Sequence, residues 1–167
     1  MKRLIIINGP MGVGKTAVCT ELKKRLPDNV FLDGDWCWDM RPFRITAQTR
    51  AMALDNICYL INNFLNCPAY QNVLLCWVLH EQALLDELTG RLTLDGCELR
   101  VFTLACSKET LVTRLESDVQ KGLRTPDVIP RSLERLRGFA AQRTEKINVN
   151  DCTAAEAAGR ILQRLTE

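Results

Sequence analysis

One short stretch limits what this chain can fold into more than any other: Gly9-Pro10-Met11-Gly12-Val13-Gly14-Lys15-Thr16. The apolar run Leu4-Ile5-Ile6-Ile7 precedes it. A helical pattern from Ala17 to Leu26 follows, with Val18, Leu22 and Leu26 on one stripe. Strand, glycine loop, Lys-Thr and helix together form the context in which the pattern G-x-x-x-x-G-K-[ST] cradles a polyphosphate. Glycines let the backbone turn tightly and aim its N–H groups at phosphate oxygens. The helix start adds its positive pole. Lys15 supplies a point charge for the outer phosphates, and the Thr16 hydroxyl is a ligand suited to Mg²⁺. The expected nucleotide-binding set is Gly9, Met11, Gly12, Val13, Gly14, Lys15, Thr16 and Ala17.

The rest of the chain alternates strand and helix patterns. Val30-Phe31-Leu32 reads as a second strand, ending at Asp33-Gly34-Asp35. Trp36 to Pro42 reads as a loop, Thr46 to Asn66 as one long helix or two joined, and Asn72 to Leu79 as a strand buried on both faces. Further helices are expected over Glu81 to Leu92, Glu109 to Gln120 with Ser107 as N-cap, Ser132 to Thr144, and Thr153 to Leu165 with a Thr153/Glu156 capping box. Further strands are expected over Leu99 to Cys106 and Ile147 to Asn150, and the polar stretch Lys121 to Arg131 reads as a flap. Such alternation implies a parallel sheet covered by helices on both faces, with ligands beyond the carboxyl ends of its strands. The polar clusters fall at those ends.

With 167 residues the chain is expected to form one domain with a full core. A net charge of +2 does not suggest a nucleic-acid coat or a membrane surface, and no apolar run is long enough to span a bilayer. Eight cysteines occur without a C-x-x-C spacing, which argues against zinc and for reduced structural thiols in the cytoplasm.

Asp33 and Asp35 are the candidate chemistry-bearing acids. Carboxylates at a strand end beside a phosphate site can hold Mg²⁺ through water or take a proton from an attacking hydroxyl. On an extended chain, residues two apart point the same way. Asp33 is assigned with Thr16 to the metal, and either acid can be the base. Trp36 and Trp38 can stack on a ring-bearing substrate, while Arg41 or Arg50 can bind an anionic group. Within the flap, Arg124 is the candidate cation over the transferring phosphate, and Arg131 is a second candidate. Arg135 and Arg137 read as a solvated helix face, and His80, the only histidine, as a hydrogen-bonded structural residue. An N-K-x-D base-reading motif is absent, and the strand ending at Leu79 leads into His80-Glu81 rather than an Asp, which argues against GTPases and motors.

GPMGVGKT at 9–16, FLDGDW at 31–36 and the arginine-bearing stretch at 114–131 together resemble the P-loop kinases of the nucleoside-monophosphate kinase superfamily. The likeness is to their small-molecule branch: adenylylsulfate, shikimate and gluconate kinases and chloramphenicol phosphotransferase. From the quoted residues the resemblance implies a three-layer α/β sandwich around a five-stranded parallel sheet of order 2-3-1-4-5, the P-loop NTPase fold. It also implies ATP and Mg²⁺ as cofactors, an acceptor pocket under the helical segment 38–68, and a lid over 119–131. Arg124 maps onto the lid arginine, Arg114 onto an arginine that stacks on adenine, and Asp151 onto the base-contacting turn 150–153. The expected activity is transfer of the γ-phosphate to a hydroxyl or phosphate of a small molecule. Two other readings are an ATP-binding resistance or regulatory protein without such transfer, and a polynucleotide 5′-hydroxyl kinase. Near-neutral charge and the lack of a basic–aromatic surface pattern weigh against the last, so nucleic acid is not an expected partner. The oligomeric state stays open.

Overall fold

Alternate residues of the first strand, β1 (Lys2–Asn8), serve opposite faces of a sheet. Ile5 and Ile7 join one buried cluster with Val18, Cys19 and Leu22 of α1 (Lys15–Arg25) and Ala157, Ala158 and Ile161 of α6 (Ala154–Arg164). Leu4 and Ile6 join a second cluster with Ile57 and Ile61 of α2 (Ala47–Asn66) and Leu85 and Leu88 of α3 (Gln82–Gly90). Each of these four β1 side chains is wholly inaccessible. Burying one contributes about 1.5–3 kcal/mol, so a charge at Ile6 would break the sheet–helix interface.

The computed structural model describes residues 1–167. The remaining elements are β2 (Asn29–Asp33), a 3₁₀ turn (Gly34–Trp38), β3 (Asn72–Trp77), β4 (Cys97–Ala105), α4 (Lys108–Gln120), α5 (Val128–Ala141) and β5 (Glu145–Asn148). All strand pairs are parallel, in the order β2-β3-β1-β4-β5. The resemblance implied this sheet, with helices on both faces.

Several boundaries differ from the sequence reading, each for a physical reason. The strand expected to run to Leu79 ends at Trp77 because the Leu79 backbone bonds to side chains instead of the ladder. Helix α1 begins at Lys15 rather than Ala17, with Gly14 in the left-handed region as its cap. The helix expected from Ser132 begins at Val128: Pro130 lies in its first turn, where a missing N–H costs nothing. The flap between α4 and α5 is correspondingly shorter. β5 lies two residues earlier than expected, in register with Phe102–Ala105. The stretch after Asp33, read as extended and then loop, turns at once into the 3₁₀ segment. Both expected N-caps, Ser107 and Thr153 with its Glu156 box, are present.

Candidate active site

The loop after β1 wraps the N-terminus of α1. Gly12 sits at φ +80°, and a Cβ there would meet Leu115 Cδ2 at 2.5 Å, so both conformation and space require glycine. Lys15 folds back, its Nζ donating to Gly9 O at 3.0 Å and Pro10 O at 2.9 Å. Burial pushes its ammonium below the ordinary range. Cys76, Asp35 and Asp33 act to raise it, and the Arg124 cation lowers it. Both acids and Arg124 are therefore electrostatic neighbours of Lys15.

Asp33 is 8% exposed. Its Oδ2 accepts from Thr16 Oγ1 at 2.9 Å, and its Oδ1 accepts from the Asp35 N–H at 3.0 Å, capping the 3₁₀ turn. This turn separates the two acids. Asp33 faces Thr16, while Asp35 is exposed and lines a large cavity. They do not share one face of an extended strand, as their spacing suggested. A Cβ at Gly34 would lie 2.5 Å from Trp77 Cγ, so only glycine lets the turn sit against the β3 tip.

Thr16 and Asp33 offer two hard oxygens 2.9 Å apart. Neighbouring ligands of an octahedral Mg²⁺ are about 2.9 Å apart when each bond is near 2.0–2.1 Å, so this donor pair fits that ion. No group of three or more His, Cys, Asp or Glu side chains gathers into an all-protein metal site.

A hollow of about 210 Å³ lies beside the loop, lined by Gly12, Gly14, Arg114, Cys152, Thr153 and Ala157 among others. Arg114 donates to Val13 O at 3.0 Å and Val149 O at 2.7 Å, bridging the loop to the segment before α6. Asp151 is exposed and outside this lining, whereas its neighbours Cys152 and Thr153 are in it. Arg124, within the flap, is held by Asp118 near the end of α4, Nε to Oδ2 at 3.0 Å.

A cavity of about 950 Å³ adjoins the loop at Met11 and Asp35. Trp38 forms its aromatic wall, in edge contact with Trp77 at 5.9 Å and Phe43 at 5.6 Å between centroids. Trp36 lines it as well, resting on Phe31. Arg50 borders the cavity, but Arg41 is exposed and does not.

Arg131, Arg135 and His80 also border it. The sequence instead reads Arg135 as part of a solvated helix face and His80 as a structural residue. With α5 starting at Val128, positions 131 and 135 lie one turn apart on one face; the signal was the i, i+4 pair, hidden by the misplaced helix start. Helix α5 approaches closely because position 138 is glycine: a Cβ there would meet His80 O at 2.2 Å. A buried amide cluster fixes the same corner. Asn8 Nδ2 donates to Leu79 O at 2.9 Å and to Gln142 Oε1 at 2.7 Å, and Leu79 N–H donates to Asn8 Oδ1 at 2.9 Å. Gln142 Nε2 closes the ring onto Leu79 O. One polar knot thus ties the residue before Gly9 to the end of β3 and the end of α5. His80 Nδ1 is the only buried side-chain polar atom without a partner. Burial holds its imidazole below the ordinary value, and the Arg135 cation reinforces this.

The nucleotide loop, its Lys15–Thr16 pair and the sheet order define a P-loop protein of the kinase-like architecture. Residues 5–127 match the family model described as an AAA domain, and the chain belongs to that family. Among solved structures it is similar to the tunicamycin resistance protein of Deinococcus radiodurans, with TM-score 0.72 at 20% identity over 99% of this chain and 96% of that one. It is similar to the shikimate kinase of Acinetobacter baumannii, with TM-score 0.68 at 19% identity over 99% and 94%. The gluconokinase of Sinorhizobium meliloti 1021 gives TM-score 0.65 at 20% identity over 97% and 94%. These likenesses establish the fold. No curated protein matches the chain by sequence, and no helix is long and apolar enough to cross a membrane.

Proposed function

We propose that the protein is an ATP- and Mg²⁺-dependent kinase that phosphorylates a hydroxyl of a small molecule. One observation carries this reading: Asp35 acts electrostatically on Lys15 and also lines the 950 Å³ cavity, so a carboxylate stands where the two sites meet. Lys15 and the amides of residues 9–16 hold the phosphate chain. Mg²⁺, taken up through Thr16 and Asp33, would offset charge on the outer phosphates. Asp35 orients the acceptor hydroxyl and receives its proton as the oxygen bonds to phosphorus and ADP departs. Asp33 is committed to Thr16 and to the turn, which leaves Asp35 as the base. Arg124, a flap residue tied to Asp118 of α4, stabilises the equatorial charge of the transferring group. Arg114 and the 150–153 turn flank the nucleoside, and Trp36, Trp38 and Arg50 contact the acceptor. Kinases with this architecture, such as those named for shikimate and gluconate, act on small acceptors, which supports the class of reaction. A reducing compartment, the cytoplasm, suits eight free thiols.

The test is a coupled ADP-release screen over sugars, nucleosides, antibiotics and hydroxy acids. Strong stimulation by one compound, lost in Lys15→Ala, is the expected result. Tight ATP binding with no stimulated turnover by any class would replace the kinase with an ATP-dependent binding protein.

A further inference from the structure

The flap that carries Arg124 is stitched down at both ends. Helix α4 lies directly on the nucleotide loop: Leu115 fills the space that a Cβ on Gly12 would need, and Arg114 donates to Val13 O at 3.0 Å. Leu111 and Leu115 bury against Val128 of α5, and Met11 of the loop packs on the same cluster. Where α4 ends, Gly122 at φ +70° turns the chain back, and the Leu123 N–H donates to Asp118 O at 2.9 Å. Where α5 begins, the Val128 N–H donates to Thr125 O at 3.1 Å. Asp118 stands one turn beyond Arg114, on the face of α4 that meets the loop. A carboxylate in the last turn of a helix faces the negative pole, and no basic residue in that turn offsets it. Local chemistry thus disfavours an acid here. Its compensation lies across the turn, where Oδ2 accepts from Arg124 Nε at 3.0 Å between two partly buried side chains. That bond uses Nε alone. No acceptor in the protein engages either terminal nitrogen of Arg124, and those two nitrogens form the fork that suits phosphate oxygens. Arg124 is also close enough to Lys15 to act on its ammonium, so both cations serve one neighbourhood. An untied arginine samples many rotamers. Anchoring Nε to a fixed helix removes much of that freedom in advance.

We propose that Asp118 is a positioning residue: it holds Arg124 by Nε so that the terminal fork meets the outermost phosphate of the nucleotide, and it does not touch the nucleotide itself. This rests on the reading of Arg124 as the cation over the transferring phosphate. Isothermal titration of the full chain with MgADP and with the Mg²⁺ complex of β,γ-imido-ATP tests it, because the two probes differ by that phosphate. In Asp118→Ala the ratio of the two affinities should shift against the triphosphate by about tenfold, the lower end of what a hydrogen bond to a charged group contributes, with MgADP affinity unchanged. Asp118→Ser, too short to reach Nε, should match it, and so should Arg124→Gln. Asp118→Asn, whose amide oxygen still accepts from Nε, should keep most of the original ratio. The double variant Asp118→Ala/Arg124→Gln should shift no further than Arg124→Gln alone, since Asp118 acts only through Arg124. A clamp that merely holds the flap together would weaken both probes alike. That outcome, an unmoved ratio in Asp118→Ala, or a double variant shifted beyond Arg124→Gln overturns the assignment. ADP release in the acceptor screen is followed in parallel. The expected binding pattern without stimulated release upholds Asp118 and removes the kinase. Stimulated release with the ratio unmoved in Asp118→Ala does the reverse.

Discussion

The nucleotide loop and the acceptor cavity lie side by side at one edge of the sheet but are made differently. The loop is contiguous: eight residues, 9–16, whose backbone shapes the site, with Asp33 and Arg114 as distant partners. The cavity draws side chains from the 3₁₀ turn, the 39–46 loop, α2, the end of β3, α3 and α5. A backbone grip depends on conformation and tolerates little change. A side-chain pocket can be rebuilt residue by residue while the sheet stays fixed. In the proposed function, reaction type is set by the first region and acceptor identity by the second, and Asp35 belongs to both.

The sharpest way to break this division is Lys15→Ala. Phosphoryl transfer should fall on the order of 10³-fold, with thermal unfolding unchanged; near-normal turnover would mean that the loop does not drive the reaction. Asp35→Asn comes next, lowering kcat by about 10²–10⁴ with ATP affinity intact. By contrast, Asp33→Asn should chiefly raise the Mg²⁺ concentration needed for activity, so identical kinetic profiles for the two variants would erase the separation between the acids. Asn8→Leu strikes the knot that holds loop and cavity together. It strands the Leu79 N–H and a Gln142 acceptor, and should cost about 1–3 kcal/mol for each, read as a drop in the urea midpoint. The smallest effect concerns pH. His80 is held below its ordinary 6.5, first by burial and then by Arg135 and Arg50, with Glu81 opposing. The unfolded chain therefore binds this proton more readily than the folded one. The His80 contribution to stability is complete above that ordinary value and is lost as pH falls through it. Melting curves should show a decline on acidification that is shallower in His80→Gln.

Most of the nucleotide side was legible in the residues because local chemistry dictates it: a run of buried β-branched side chains, glycines that alone fit their backbone, and a Lys-Thr pair at a helix start. Thr153 with Glu156 was equally readable, since a capping box is closed within four residues. What escaped depends on contacts between distant segments. The end of β3 is set by Asn8 and Gln142, far away in sequence. The helix start at Val128 put Arg131 and Arg135 on one face, whereas Pro130 had suggested a loop. The 3₁₀ turn after Asp33 separated two acids whose spacing implied a common direction, and Arg41, read as a substrate contact, lies outside the cavity that Arg50 borders.

The chain contains three tryptophans, and all three line the acceptor cavity while none lines the hollow beside the loop. Every indole that can fluoresce is thus a witness to one compartment. Emission should stay nearly silent when nucleotide loads alone and change when a ring slides in beside Trp38, so the protein carries its own unlabelled optical gauge of which of its two guests has arrived.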